Sequence, residues 1–305
     1  MSLAPIVLFV YNRPRHTRDT VEYLLENPQA KNSDLFIFSD GAKNREDLKK
    51  VEEVRKYLST ISGFKSVTLS ETKVNRGLAK ALVEGITHVC NVRGRVIVLE
   101  DDIIVSPYFL EYMNSALDRY ENDERVMHIS GYMFPVRDAA NLPETFFYRA
   151  TSSWGWATWN RAWRYFEPDA KKLLEQIMHQ GHRRNFDILG TMDFTRMLRL
   201  QAKGKINSWG ICWYASTFLR EGLCLYSSTS LVRNLGHDGS GTHCESSEDY
   251  ETALADQRIS HFPEEVAESR AALEAIAEFN RSLKKSLPQR MVRLAKRVLR
   301  KSGNI

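Results

Sequence analysis

The sequence predicts an α/β protein built on a mostly parallel sheet flanked by helices. Three observations carry that expectation. Apolar, β-rich runs alternate with helix-patterned segments over the first hundred residues, which is the signature of βαβ units. Several of those runs are apolar throughout, as strands buried on both faces are. Four of them end in polar residues, at the carboxyl edge where such sheets bind ligands.

In chain order, "PIVLFVY" (5–11) reads as the first strand and "RHTRDTVEYLLEN" (15–27) as a helix. "DLFIFSDG" (34–41) is a second apolar run closed by Asp-Gly, and "REDLKKVEEVRKYLS" (45–59) is a charged amphipathic helix. "SVTLSET" (66–72) alternates as a strand, "GLAKALVEGITHVC" (77–90) is a helix, and "RVIVLE" (95–100) is a fourth strand. After Pro107 a helix is expected over about 108–121, then a fifth strand in "RVMHISG" (125–131). From 146 to 244 the regularity fades into aromatic and Gly-rich sequence, expected to be the substrate-dependent part. Residues 264–302 read as helix interrupted at Pro288. The expected division is a domain over 1–263, with halves 1–102 and 103–263, followed by a helical tail over 264–305.

The 305 residues suffice for one large domain or two small ones. No apolar run approaches the ~18 residues of a membrane span. The N-terminus lacks a cationic region and a small-residue cleavage site, so it reads as a strand and not as a signal peptide. Cys90, Cys212, Cys224 and Cys244 form no C-x-x-C, so a reducing cytosol is the default. Of the 43 Lys and Arg residues, nine lie in 281–305, which has no acid. The rest carries 34 bases against 38 acids and is mildly acidic.

Polar residues gather at the predicted strand ends: Asn12-Arg13, Ser39-Asp40-Gly41, Asn75-Arg76-Gly77 and Glu100-Asp101-Asp102. Three consecutive carboxylates repel one another, and a fold keeps them when something positive sits against them. Acids do favour the first turn of a helix. Directly on a buried strand, however, they fit better as hard oxygen ligands for a divalent cation shared with a diphosphate. The cation would neutralise charge developing on a leaving nucleotide.

The block "VIVLEDDIIVSPYFLEYM", with "HISGY" and "FFYRATSSWGWATWNRAW", resembles the GT-A (Rossmann-like) glycosyltransferases. The likeness is nearest to the N-acetylglucosaminyltransferase I-like and family 2-like nucleotide-sugar transferases, and it covers roughly residues 5–243. It rests on Glu100-Asp101-Asp102, Pro107 to Tyr112, Tyr148-Arg149, Gly155-Trp156, and Arg233 before Leu235-Gly236. The resemblance implies that Asp102 ligates Mn2+ or Mg2+ and that Asp101 lies nearer the donor's ribose or sugar. It places Arg13 and Asp40 on the nucleotide, with Asn12 beside them, and lets Arg76 assist the diphosphate. An Arg suits a phosphate, and a carboxylate can accept from a uracil N–H. A surface ion pair is the plainer reading of Arg13 and Arg76.

Inverting transfer needs a carboxylate to take the acceptor's proton. The resembled family carries it in a Trp-Asp-Asp-Trp segment. Here "NSWGICWYAS" keeps Trp209 and Trp213 with no acid between them. Asp193 is the first substitute and Asp238 the second, though Asp193 also suits a helix N-terminus. The loop "NLGHDGSGTH" suits closure over a nucleotide-sugar, with His237 a late ligand to the metal or diphosphate. The tryptophans of 154–163 can stack on sugars or fill core.

In the tail, Leu287, Met291, Leu294 and Val298 fall opposite Arg290, Arg293, Lys296, Arg297 and Arg300 on a helical wheel. Such a helix lies on an anionic membrane, docks on a partner, or packs on the body. Nucleic acid is disfavoured because the tail has no aromatic residue for base stacking. The sequence thus predicts a metal-dependent inverting glycosyltransferase using a nucleotide-sugar, UDP-linked by expectation. Its acceptor would be a glycan or lipid-linked molecule in bacterial surface polysaccharide synthesis. Its place would be cytoplasmic, peripheral at the inner membrane face through residues 281–301. The rivals are a catalytically degenerate nucleotide-sugar-binding or scaffold protein, and a nucleotidyltransferase.

Overall fold

The first strand shows why an unbroken apolar run marks a central position. In the computed structural model, which describes residues 2–236 and 248–284, Ile6, Leu8 and Val10 enter one core and Val7 and Phe9 another. Both faces are covered, so neither tolerates a polar residue.

The elements begin with strand β1 (Ile6–Val10), helix α1 (Pro14–Leu25), β2 (Asp34–Ser39), α2 (Arg45–Leu58), β3 (Ser66–Glu71) and α3 (Leu78–Arg93). They continue with β4 (Arg95–Glu100), β5 (Ile103–Val105), α4 (Phe109–Arg119), β6 (Val126–Ser130), β7 (Thr145–Tyr148), β8 (Trp156–Trp159) and the short α5 (Asn160–Trp163). Then come α6 (Ala170–His179), α7 (Arg183–Phe186), α8 (Phe194–Ala202), α9 (Trp209–Phe218), β9 (Leu223–Ser227), β10 (Val232–Asn234) and α10 (Arg270–Leu283). Eight strands form one sheet in the order β3-β2-β1-β4-β8-β6-β9-β7, and β5 and β10 form a two-stranded ribbon. Strands β3, β2, β1 and β4 are parallel, β6 and β9 are parallel, and β8 and β7 run opposite to their neighbours. This is the expected mostly parallel α/β sheet flanked by helices.

Helices α1, α2 and α4 share a core with one face of the sheet, and α3, α5 and part of α9 share one with the other. A third core joins β7 and β9 to α6–α10. Pro14 opens α1 in the first turn, where its missing N–H costs nothing. Asn44 caps α2 by accepting from the Asp47 N–H at 2.9 Å.

Three expectations need correcting. The stretch 146–244 is not irregular where it is described: it holds three sheet strands, β7 from its second residue, β8 and β9, with helices α5–α9 and strand β10. Helix α9 escaped notice because Trp209 and all residues from Ile211 to Thr217 are buried, which erases the polar face that periodicity needs. The helix expected from 264 begins only at Arg270, because Glu268 bridges to Phe147 and Ser269 donates to the Phe147 carbonyl at 2.9 Å. Ser269 then caps α10. Strand β3 alternates in sequence yet is exposed along its whole length, because it is the sheet's edge. The amphipathic stretch 287–301 lies outside the described residues.

Candidate active site

β4 runs into the acidic triplet, and the turn at Asp101-Asp102 feeds straight into β5. The positive partner demanded by the three acids is Arg13, the residue between β1 and α1. Its guanidinium bridges Asp101 Oδ1 and Asp102 Oδ2, the latter at 2.9 Å. The Tyr11 N–H donates to Asp101 Oδ2 at 3.1 Å, and the Thr20 hydroxyl donates to the Asp101 carbonyl at 3.0 Å. Burial opposes the Arg13 charge, yet Asp101 and Asp102 outweigh it and hold the guanidinium firmly protonated. Burial also raises Asp101, against the pull of Arg13. Glu100 is raised by burial and then by Asp102 and Asp101, with Arg13 pulling the other way. Three carboxylates against one guanidinium leave two negative charges uncompensated when all are ionised, the complement of a divalent cation.

Around this cluster the loops are tied down by Asp47 and Arg55, which the sequence did not single out, and by Asp40, which it did. Asp47, in the first turn of α2, accepts from Asn12 Nδ2 at 2.6 Å and from the Tyr11 hydroxyl at 2.9 Å. Asp40 accepts from the backbone N–H groups of Gly41, Arg76 and Gly77 and from the Thr72 hydroxyl, all at 2.9 Å. Its acceptor capacity is therefore spent inside the protein. That departs from the expectation that this carboxylate accepts from a uracil N–H; as placed, it fixes the loop between β3 and α3. Arg55 clamps the same ends, donating to the Thr72 carbonyl at 2.8 Å and to Ser39 Oγ at 3.2 Å. Gly41 is required, since a Cβ there would stand 2.6 Å from the Val74 carbonyl carbon. Arg76 turns its guanidinium to Glu84 at 2.5 Å. Between these loops and α3 lies a cleft of about 200 Å³, lined among others by Phe38, Asp40, Thr72, Arg76 and His88.

The ribbon of β5 and β10 returns the chain to the acids. The Leu235 N–H donates to the Asp102 carbonyl at 2.8 Å. Gly236 follows so closely that a Cβ on it would stand 2.3 Å from Asp102 Oδ2. His237 and Asp238 come next in sequence and lie outside the described residues. Gly155 packs against Leu99, just before the triplet, and accepts from the Gly131 N–H at 2.7 Å. That brings the Trp154 segment to the same edge, where its ring meets Tyr132 at 4.4 Å.

The other tryptophans of the block are core. Trp156 and Trp163 are buried together with Trp209 and Trp213, and Trp159 packs into the opposite core. Their indoles are not free for sugars, and the segment matching the expected base region is an interior helix. Asp193 is exposed at the start of α8, where its side chain makes no capping bond. No hydrogen bond joins it to the triplet. Arg149 of the Tyr-Arg segment is bound through both ends of its guanidinium to Glu268, which pins β7 to the chain before α10.

Residues 1–184, more than half the chain, match the GNT-I family. The chain belongs to the GNT-I family. The matched residues carry β1, the acidic triplet and the Gly-Trp block. Curated protein sequences give no match. Similar solved structures include a mannosyltransferase, PcManGT from Pyrobaculum calidifontis, in complex with GDP-Man and Mn2+ (16% identity, TM-score 0.38, 57% of this chain and 47% of that one). S. aureus TarS matches at 12% identity and TM-score 0.33, over 51% of this chain and 28% of that one. A putative nucleotide-diphospho-sugar transferase from Desulfovibrio desulfuricans G20 matches at 15% identity and TM-score 0.33, over 56% and 68%. The chain thus spans less than half the length of the first two.

Proposed function

We propose that this GNT-I family member moves a sugar from a UDP-linked donor to a glycan or lipid-linked acceptor, with inversion and with help from a divalent cation. The observation that carries this reading is the Arg13–Asp101–Asp102 cluster, closed by Gly236, at the carboxyl edge of the sheet. The donor set fits Mn2+ or Mg2+. Asp102 Oδ1 takes no hydrogen bond from the described residues, and its carboxylate keeps 13% of its surface open. Among the described residues no group of three or more His, Cys, Asp or Glu is placed to hold a metal. An ion of this class can bind one or two carboxylates and complete its shell with substrate phosphates and water. When bound, it would neutralise the departing diphosphate.

The chain's own residues do the rest. Asp102 holds the ion, and Asp101, fixed by Tyr11 and Arg13, faces the donor's ribose or sugar. Arg13 moves from the acids to a phosphate, for which its fork is suited. The nucleobase enters the cleft shaped by Asp40 and Arg76, with Asn12 anchored at its rim. A carboxylate takes the acceptor hydroxyl's proton as that oxygen attacks the anomeric carbon and the nucleotide leaves. Asp238 stands two residues beyond Gly236 in sequence, which supports it ahead of Asp193, and His237 would reach the metal or diphosphate from the same loop. UDP-sugar hydrolysis with and without Mn2+, in wild type and Asp102→Asn, tests the reading. Turnover that needs Mn2+ and fails in the variant supports it; turnover indifferent to both overturns it. Binding of UDP without any turnover would favour the catalytically degenerate reading, for which the acid-free stretch between Trp209 and Trp213 speaks.

A peripheral position at the inner membrane face is the matching proposal for residues 281–301. No helix among the described residues is long and apolar enough to cross a membrane. Flotation with anionic vesicles should be lost in the chain cut after Lys284; unchanged flotation refutes the proposal.

A further inference from the structure

The sheet ends in two edge strands, and the chain treats them differently. β7 is covered: Glu268 bridges to Phe147, Ser269 donates to its carbonyl at 2.9 Å, and Arg149 and Glu268 lock the cover in place. Among the described residues β3 has β2 on one side and no strand on the other. All six of its residues are exposed. An open edge is a template for another strand, and proteins protect such edges with charges, prolines, bulges or covering segments. From Ser66 to Ser70 there is no charge and no proline, and the register with β2 is unbroken. Apolar exposure gathers here too. Of nine large apolar side chains exposed among the described residues, Val67, Leu69, Val74 and Leu78 fall within twelve residues of this edge.

We propose that β3 is an interface between two copies of this chain, which pair antiparallel about a two-fold axis through Thr68 and continue the sheet from one molecule into the other. The sequence is self-complementary about that axis. Val67 of one copy faces Leu69 of the other, Ser66 faces Ser70, and Lys65 faces Glu71, each twice by symmetry. The flanking charges thus become cross-strand ion pairs. Shifting the axis to Leu69 would set Lys65 against Lys73, which like-charge repulsion disfavours. Inside one molecule Lys65 donates to Asp34 at 3.3 Å, and Glu71 stands 3.7 Å from Arg55. Both side chains are exposed, so each can exchange its own partner for the one across the axis. Val74 and Leu78, just beyond the strand, extend the apolar contact.

The experiment uses the full chain. Sedimentation equilibrium from low to high micromolar concentration should show a reversible dimer. Thr68→Cys, on a Cys244→Ser background, places two thiols across the axis. Antiparallel neighbours have Cα atoms ~4.5–5.5 Å apart, inside the range of a disulfide. Mild oxidation should give a covalent dimer, whereas Glu175→Cys on exposed α6 should not. Lys65→Glu should weaken association several-fold, and Lys65→Glu with Glu71→Lys should restore it. Because both positions are exposed, the unfolding temperature reports whether each variant still folds. The proposal is overturned by a wild-type monomer at all concentrations with no Thr68→Cys cross-link. It is equally overturned by a dimer that Val67→Lys with Leu69→Lys leaves intact.

Discussion

Replacing Arg13 by Gln removes the one cation that Asp101 and Asp102 share, at a site where their side chains keep only 4% and 13% of their surface open. At an effective dielectric of ~20, unit charges ~4 Å apart attract by ~4 kcal/mol. Breaking a buried pair from one side costs ~3–5 kcal/mol. The variant has one escape, which is to protonate Asp101 or Glu100. Burial already raises both, and losing Arg13 raises them further. A carboxyl whose folded pKa lies above its unfolded value contributes stability at low pH and loses it as pH rises through the folded pKa. The variant's deficit should therefore be ~3 kcal/mol or more at pH 8 and shrink to ~1 kcal/mol at pH 5. At ~2–4 °C per kcal/mol for a chain of this size, the pH 8 deficit appears as a fall of roughly 6–12 °C. Thermal unfolding followed by circular dichroism at both pH values, free of divalent ions, measures it. Adding Mn2+ should recover part of the loss at pH 8 and bind more tightly than to wild type, because its competitor for Asp102 is gone. Equal deficits at the two pH values, or a shift within error of zero, would refute the claim that Arg13 neutralises this cluster.

Gly236→Ala drives a methyl group into Asp102 Oδ2; turnover should fall at least ten-fold while the unfolding temperature moves by no more than about 3 °C, as expected of a site residue outside the cores. Asp40→Asn keeps the shape but weakens a carboxylate with four protein donors. It should cost ~2 kcal/mol in urea unfolding and raise KM for the donor more than it lowers kcat. His128 is wholly buried, with Nδ1 accepting from Trp213 Nε1 at 3.2 Å, and burial pushes its pKa down to about 3. A depressed histidine contributes stability above ~6.5 that is lost toward the folded value, at up to ~1.4 kcal/mol per pH unit. His128→Phe should therefore flatten the fall in urea stability between pH 6 and pH 4; an unchanged slope would clear His128 of the acid limb.

The first half of the fold was legible because its central strands β1 and β4 are buried on both faces and its helices on one, so apolar content and period disagree sharply between them. β1, β2 and β4 fall within two residues of expectation. α9 shows the opposite case, since a helix buried on every side has no period to read. Of the site, the sequence disclosed the carboxyl-edge residues, because their chemistry is out of place on buried strands. It hid Asp47 and Arg55, which are unremarkable charges on an amphipathic helix until the fold brings α2 over the ends of β1, β2 and β3. Gly236 was visible only as part of a turn. Its meaning depends on the register of β10 with β5, where Asn234 faces Ile103.

The way these residues spend their bonds also says where chemistry can occur. Asn12 is held by Asp47, and Asp40 by four donors. Asp101 is fixed by Tyr11 and Arg13 on its carboxylate and by Thr20 on its carbonyl. Each is a rigid part of the wall. Asp102 differs: Arg13 and Gly236 crowd one of its oxygens while the other takes no bond from the described residues. A guanidinium on a carboxylate is a contact that a divalent cation can replace and a phosphate can draw away. On the function proposed above, donor and ion binding would release Arg13 to the diphosphate as it surrenders Asp102 to the ion.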